Sequence, residues 1–276
     1  MIKKLTYILL GLVMMTACEV IPVDERTLQL DPQEWVGSNK RHLLIEFTGV
    51  QCVNCPKAAE EVHNLMTQYE ENLVVVAMHP ASNPFTKASS QYDYTCPAAD
   101  YYYQFMGGTA TTSFPTGNID MLRDADGGYF CDYTAWSTRL ANVLADSAQI
   151  DVLVDAEWKD NNTISVSTQI VPVQNCIPLG IRIFTWLIED EVVGAQYMPD
   201  GTANMEYVHR HMLRGSLENE EGELQLLNNL SGIYDTNSYT IQQNLNHNNC
   251  YVVVVVTDEN MTEVLNVYQS YILNNL

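Results

Sequence analysis

The sequence predicts an α/β domain followed by an all-β domain built as a β-sandwich. Two observations carry that expectation. As far as residue 149, short β-branched runs alternate with stretches whose apolar residues recur at three- and four-residue intervals. Beyond it the helical spacing nearly disappears, and alternation broken by turn signals takes over. The expected order is a signal peptide at 1–17, a tether at 18–40, the α/β domain at 41–149 and the β-sandwich at 150–276.

The chain opens MIKKLTYILLGLVMMTACEV, with Lys3 and Lys4 ahead of an uncharged stretch from Leu5 to Met15. That run is too short for a stable membrane span, which takes about 20 apolar residues, and it reads as a secretory signal. Met15-Thr16-Ala17-Cys18 is similar to a bacterial lipobox, where cleavage leaves the cysteine to carry lipid. Cys18 is therefore the expected lipid anchor, and the mature chain a body tethered to a membrane.

In the α/β half, His42 to Thr48 reads as a buried strand that runs into Cys52-Val53-Asn54-Cys55. Ala58, Ala59, Val62, Leu65, Met66 and Tyr69 then mark one face of a helix. Leu73 to Met78 (LVVVAM) is a second buried strand, and residues 80–96, rich in Ser, Asn, Pro and Thr, are a loop. Residues 97–106 form a helix that Pro97 can start and Gly107-Gly108 end. A loop through Phe114-Pro115-Thr116 feeds the short strand GNIDM, and Trp136, Leu140, Val143 and Leu144 face inward from a last helix near 133–147. In the second half, Ile150 to Trp158 and Ile164 to Ile170 alternate on either side of Asp160-Asn161-Asn162, as a β-hairpin requires. GIRIFTWLI at 180–188, CYVVVVV at 250–256 and VLNVYQSYI after it add further strands.

Composition restricts the partners. With 34 acidic and 13 basic residues the net charge is −21, a surface that repels nucleic acid and anionic headgroups. Of seven cysteines, Cys18 is assigned to lipid, which leaves an even number in an exported, oxidising setting. Cys52 and Cys55 form one expected pair. Cys96 with Cys131, and Cys176 with Cys250, is the preferred pairing of the rest, since each would then stay within one domain.

Three chemistries suit Cys52 and Cys55. A structural zinc site needs four ligands and only one CxxC exists, so zinc is disfavoured and no metal or other cofactor is expected. An inert staple and a redox-active site both remain open. For the active reading, a helix start lowers a thiol pKa through its free N–H groups and dipole, which makes Cys52 the attacking thiolate and Cys55 the resolving thiol. Glu46, if buried beside them, would have a raised pKa and could accept the Cys55 proton.

LIEFTGVQCVNCPK resembles the active-site segment of thioredoxin, with Glu46 at the family's buried carboxylate, six residues before the first cysteine. The resemblance implies a cis-proline beside the disulfide, a role that falls to Pro115 in Phe114-Pro115-Thr116. Gln51, Val53 and Asn54 depart from the usual residues around the cysteines. Over its whole length the chain resembles the bacterial outer membrane protein 28-related lipoproteins, through the lipobox, the strand-CxxC segment, FPTGNIDM and YVHRHMLRGSL. That resemblance implies an outer-membrane lipoprotein with a thioredoxin-like domain and a β-rich C-terminal domain. The expected partners are thiols or disulfides of exported proteins, with the membrane reached through lipid. The alternative is a surface protein whose β-domain binds a ligand. His209 and His211 suit a metal site if they lie on one strand face, but they read as surface histidines; Asp124 and Asp126 in DADGG read as a plain turn.

Overall fold

A computed structural model describes residues 40–86, 93–173, 180–226, 233–241 and 245–274. The expected signal peptide, the expected tether through residue 39 with Cys18, and Cys176 lie outside the described residues. The protein is a mixed α/β fold with few helices, dominated by one large sheet.

The first half folds as β1 (His42–Phe47), α1 (Cys55–Tyr69), β2 (Leu73–Met78), α2 (Pro97–Phe105), β3 (Thr116–Ile119) and α3 (Trp136–Val143). Strands β1 and β2 are parallel and buried along their whole length, which is why both read as uninterrupted apolar runs. Strand β3 joins the other side of β1, antiparallel. One face of this unit packs Leu44, Val75, Ala58, Val62, Leu65 and Trp136, so α1 and α3 cover it. Gly117 allows close packing there, because a Cβ would stand 2.6 Å from the Ile45 carbonyl and 2.7 Å from the Trp136 ring.

The second half runs β4 (Ile150–Trp158), β5 (Thr163–Pro172), β6 (Gly180–Glu189), β7 (Val192–Tyr197), β8 (Ala203–His209), β9 (Met212–Ser216), β10 (Glu223–Leu226), β11 (Ile233–Thr240), β12 (Cys250–Asp258) and β13 (Val264–Asn274). Among the described residues the main sheet has eleven strands, in the order β11-β5-β4-β13-β12-β6-β9-β2-β1-β3, with β10 beside β6. Strands β7 and β8 pair only with each other there.

The sheet crosses the change in periodicity at residue 149, so the described residues on both sides of it belong to one compact unit. The two halves meet where Ala77 of β2 pairs with Met212 of β9. Tyr102 of α2 also inserts against Trp186 of β6, with the indole N–H donating to the phenol oxygen at 2.9 Å. Strand β12 is buried on both faces. Tyr251, Val253 and Val255 join a core with β1, β2 and α2, while Val252, Val254 and Val256 meet Val152, Val154, Ile164 and Val166 of β4 and β5. Its unbroken valine run follows from having no solvent face.

The expected Cys96–Cys131 and Cys176–Cys250 bridges do not stand, because Cys96, Cys131 and Cys250 are free buried thiols. Cys96 belongs to the core beneath α2 and Cys131 to the one beneath α1 and α3, so the sheet separates them. Each donates to a local carbonyl: Cys96 to Leu213 at 3.6 Å, Cys131 to Gly117 at 3.3 Å and Cys250 to Asn246 at 3.3 Å. Burial pushes the Cys96 thiol up to about 11 and the other two up to about 12, which keeps all three protonated.

Candidate functional site

The site is built on the loop between β1 and α1. Cys52 and Cys55 are joined in a disulfide with Cα atoms 5.4 Å apart. Cys55 is the first residue of α1 and Pro56 occupies the first turn, where its missing N–H costs no helical bond. The loop turns through backbone bonds from Cys52 to the Gly49 carbonyl (3.0 Å) and from Cys55 to the Cys52 carbonyl (3.2 Å).

A second loop, after β2, closes on the first. Gln51 N–H donates to the Phe85 carbonyl at 2.8 Å. Gly49 makes that approach possible, since a Cβ there would lie 2.5 Å from the same oxygen. The Phe85 ring lies 6.3 Å from that of Phe114, and the Phe114–Pro115 peptide is cis. Phe85 thus connects the CxxC loop to the proline loop. Phe114 shares a buried core with both cysteines.

Glu46 stands at the same end of β1, 5% exposed, with Ala77 and Gly117 as its neighbours across the sheet. Burial pushes its carboxyl up to about 8, and a hydrogen bond with Thr48 pulls the other way. At neutral pH it holds a proton, unlike an ordinary glutamate. This is a group able to give or take a proton near pH 8.

Both cysteines are buried, at 3% exposed each. The β7–β8 hairpin lies along their loop. Gln196 donates its side-chain N–H groups to the carbonyls of Cys52 (3.0 Å) and Gly49 (3.3 Å), and Tyr197 N–H donates to Val50 at 2.9 Å. Tyr207 of β8 is close enough to feel the Glu46 carboxylate, which together with burial pushes its phenol up to about 12.

His209 and His211 are corrected by this arrangement. His209 is 6% exposed, with its ring 4.8 Å from Tyr94, 4.9 Å from Tyr207 and 6.0 Å from His79. His211 lies beyond β8 in a residue of φ +56°, so the two do not share a strand face. Burial holds His209 down at about 4, and holds His79 well below the usual imidazole range with help from His209 and Arg214. Both rings are neutral at physiological pH. Among the described residues, no group of three or more His, Cys, Asp or Glu side chains is placed to hold a metal ion.

The structure therefore gathers Cys52, Cys55, Glu46 and the Pro115 loop at one end of β1. Sequence reasoning missed Phe85, Gln196, Tyr197, Tyr207 and His79. Only the YVHRHMLRG segment gave a signal, and it pointed to surface histidines.

The comparisons fit this architecture. The family model for outer membrane protein Omp28 matches residues 100–275. No curated protein sequence matches the chain. Among solved structures, HBP35 of Porphyromonas gingivalis is similar at 14% identity and a TM-score of 0.67, over 86% of this chain and 76% of that one. Protein AGR_C_4864 from Agrobacterium tumefaciens is similar at 12% identity and a TM-score of 0.50, over 87% of this chain and 97% of that one. A domain of the outer membrane lipoprotein Omp28 from Porphyromonas gingivalis is 19% identical, with a TM-score of 0.36, over 47% of this chain and 92% of that one. The likenesses to HBP35 and AGR_C_4864 bear on fold; the family match spans the greater part of the chain, and the chain belongs to the Omp28 outer membrane protein family.

Proposed function

We propose that this chain is a lipid-anchored outer-membrane protein, thioredoxin-like in its first half, that exchanges disulfides with exported proteins. The observation that carries the reading is a disulfide at the start of α1 whose preceding strand supplies a buried carboxyl with a pKa pushed up to about 8. Parallel β1 and β2 around α1, antiparallel β3 and the cis Phe114–Pro115 peptide support the thioredoxin-like reading. Cys18 would carry the lipid, and the second half would be the β-sandwich. The net charge of −21 favours neutral or basic polypeptide segments as partners over nucleic acid.

In the exchange, a substrate thiolate attacks Cys52 Sγ, a mixed disulfide forms, and the Cys52–Cys55 bond breaks. Cys55 leaves as a thiolate and takes the Glu46 proton. A second substrate thiolate then attacks the substrate sulfur of the mixed disulfide, closing a substrate disulfide and releasing Cys52 as a thiolate. Two electrons pass from substrate to protein, and the reverse sequence returns them. Pro115 would present its neighbouring backbone to the substrate chain.

The test is Cys55→Ser, which leaves Cys52 without its resolving partner. Mixed disulfides through Cys52 should accumulate in cells, and the wild-type protein should catalyse insulin reduction or oxidative refolding. Absence of adducts together with absence of both activities overturns the reading in favour of a structural staple.

A further inference from the structure

We propose that the β7–β8 hairpin is a gate over the Cys52–Cys55 disulfide, latched by the Gln196 side-chain amide. Its biological purpose rests on the exchange chemistry proposed above, whereas its existence is argued from geometry alone.

The hairpin emerges between β6 and β9, strands that are neighbours in the main sheet. It is therefore an excursion that the sheet does not need for its own pairing. Both of its roots carry a non-glycine residue in the left-handed region, Glu191 at φ +54° before β7 and His211 at φ +56° after β8. Side chains with a Cβ adopt that region reluctantly, and such element-terminal positions are where a hinge absorbs a backbone change.

The hairpin is held down by little. Val193 is 62% exposed, Met205 51%, Tyr197 44% and Val208 40%. Its packing attachment is a small cluster of Ala195 and Val192 with Val50, Tyr94 and Met212, together with the buried His209 ring of β8 against Tyr94 and His79. Its polar attachment to the active loop is the Gln196 amide on the Cys52 and Gly49 carbonyls, with Tyr197 N–H on Val50. Few buried contacts and a handful of hydrogen bonds place a segment at the low end of local stability.

This attachment falls on the residue that has to react. Attack on a disulfide requires a thiolate to reach sulfur, and Cys52 is 3% exposed while Val53 beside it is 40% exposed. The loop reaches solvent, but its reactive residue is covered. Lifting β7 frees the carbonyls of Gly49, Val50 and Cys52 together. A partner laid along the loop can replace the lost bonds with its own N–H groups, so the gate favours polypeptide over small thiols. Gln196 is a positioning residue here, acting through the loop that bears Cys52.

The experiment measures the rate at which dithiothreitol reduces the disulfide in the purified full-length protein, the Gln196→Leu variant and the Tyr197→Pro variant. Leucine keeps the apolar bulk and removes the side-chain bonds to the Cys52 and Gly49 carbonyls, along with the one to the Tyr197 carbonyl. Proline removes a single N–H that points away from β8 to Val50. Loss of each hydrogen bond is expected to speed reduction about 5-fold. In the wild-type protein, the Tyr197 amide should exchange with solvent at least about 100-fold faster than the Val255 amide of β12, because gate opening is local. Wild-type reduction rates in both folded variants, or equal protection of the two amides, would overturn the gate. The amide comparison uses only wild-type protein and stands even where a variant fails to fold. A gate that opens as expected in a protein forming no mixed disulfides would leave this inference standing and remove the exchange reading; the converse result would do the opposite.

Discussion

Glu46 and Asp120 are both buried carboxyls on the sheet that contains β1, one at each end of that strand, and their surroundings differ. Asp120 is completely covered, yet it accepts from His42 Nδ1 at 2.7 Å and from the Leu43 N–H at 2.8 Å, with Lys40 Nζ at 3.5 Å. Lys40 in turn reaches Glu263 at 3.0 Å. Glu46, 5% exposed, has a hydrogen bond with Thr48 and a pKa pushed up to about 8 by burial. Asp120, held by two donors and a lysine, serves as a clamp that ties β1 to the chain before β13. Glu46, whose pKa burial raises, holds its proton at neutral pH. The same residue chemistry therefore gives one strand an end tied by donors and a lysine and an end whose carboxyl keeps its proton.

The largest expected effect breaks the tied end. Asp120→Ala strands His42 and Lys40 without their carboxylate and should destabilise the protein by about 3–5 kcal/mol, read from denaturant unfolding. A loss under about 1 kcal/mol would show that the clamp is dispensable.

Next comes Glu46→Gln, which should act in the opposite direction. Below pH 4.5 folded and unfolded chains both keep the Glu46 proton, and the raised pKa has no effect on stability. From pH 4.5 up to about 8 the unfolded chain releases the proton while the folded chain retains it, so stability falls with rising pH. Above about 8 the loss is complete, on the order of 5 kcal/mol. Glu46→Gln removes that fall, so the variant should gain on the wild type steadily between those limits in unfolding experiments run as a pH series. Parallel curves would show that Glu46 is an ordinary exposed carboxyl in solution.

Thr48→Val is a smaller perturbation of the same end. It removes the hydrogen bond that lowers the Glu46 pKa and should move the carboxyl titration, followed by infrared or NMR, upward by about one unit. The smallest effect belongs to Glu263→Gln. Its carboxylate is 38% exposed, and the Lys40 contact should contribute no more than about 1 kcal/mol. A larger loss would extend the clamp beyond Asp120.

Much of the fold was legible because local rules agreed with the tertiary outcome. The run before Cys52, the apolar face of α1 and LVVVAM are periodic over their full length, so β1, α1 and β2 appear where the pattern puts them. Within the site, the spacing of Glu46, Cys52 and Cys55 follows from one strand feeding one helix, and Phe114–Pro115 precedes β3 as expected. The thiols show the limit of this reasoning. An even cysteine count in an exported chain suggested bridges, but Cys96 and Cys131 lie in cores on opposite faces of a sheet, and no sequence distance encodes a face. His209 shows it again: among Tyr94, Tyr207 and His79 it is a buried neutral ring, although its segment reads as polar.

By itself the sequence determined the order of elements in the first half and the strands β4, β5, β6, β12 and β13, the acidic surface and the CxxC at the start of α1, because each depends on residues close together in the chain; β7 to β11 it did not mark. Only the tertiary structure decided that the sheet continues across residue 149, that Glu46 is buried with no cation paired to it among the described residues, and that Gln196 reaches back to Cys52. Those outcomes depend on which surfaces meet after folding. Gln196 and Cys52 are 144 residues apart, and their contact is set by how β6 and β9 dock against β2.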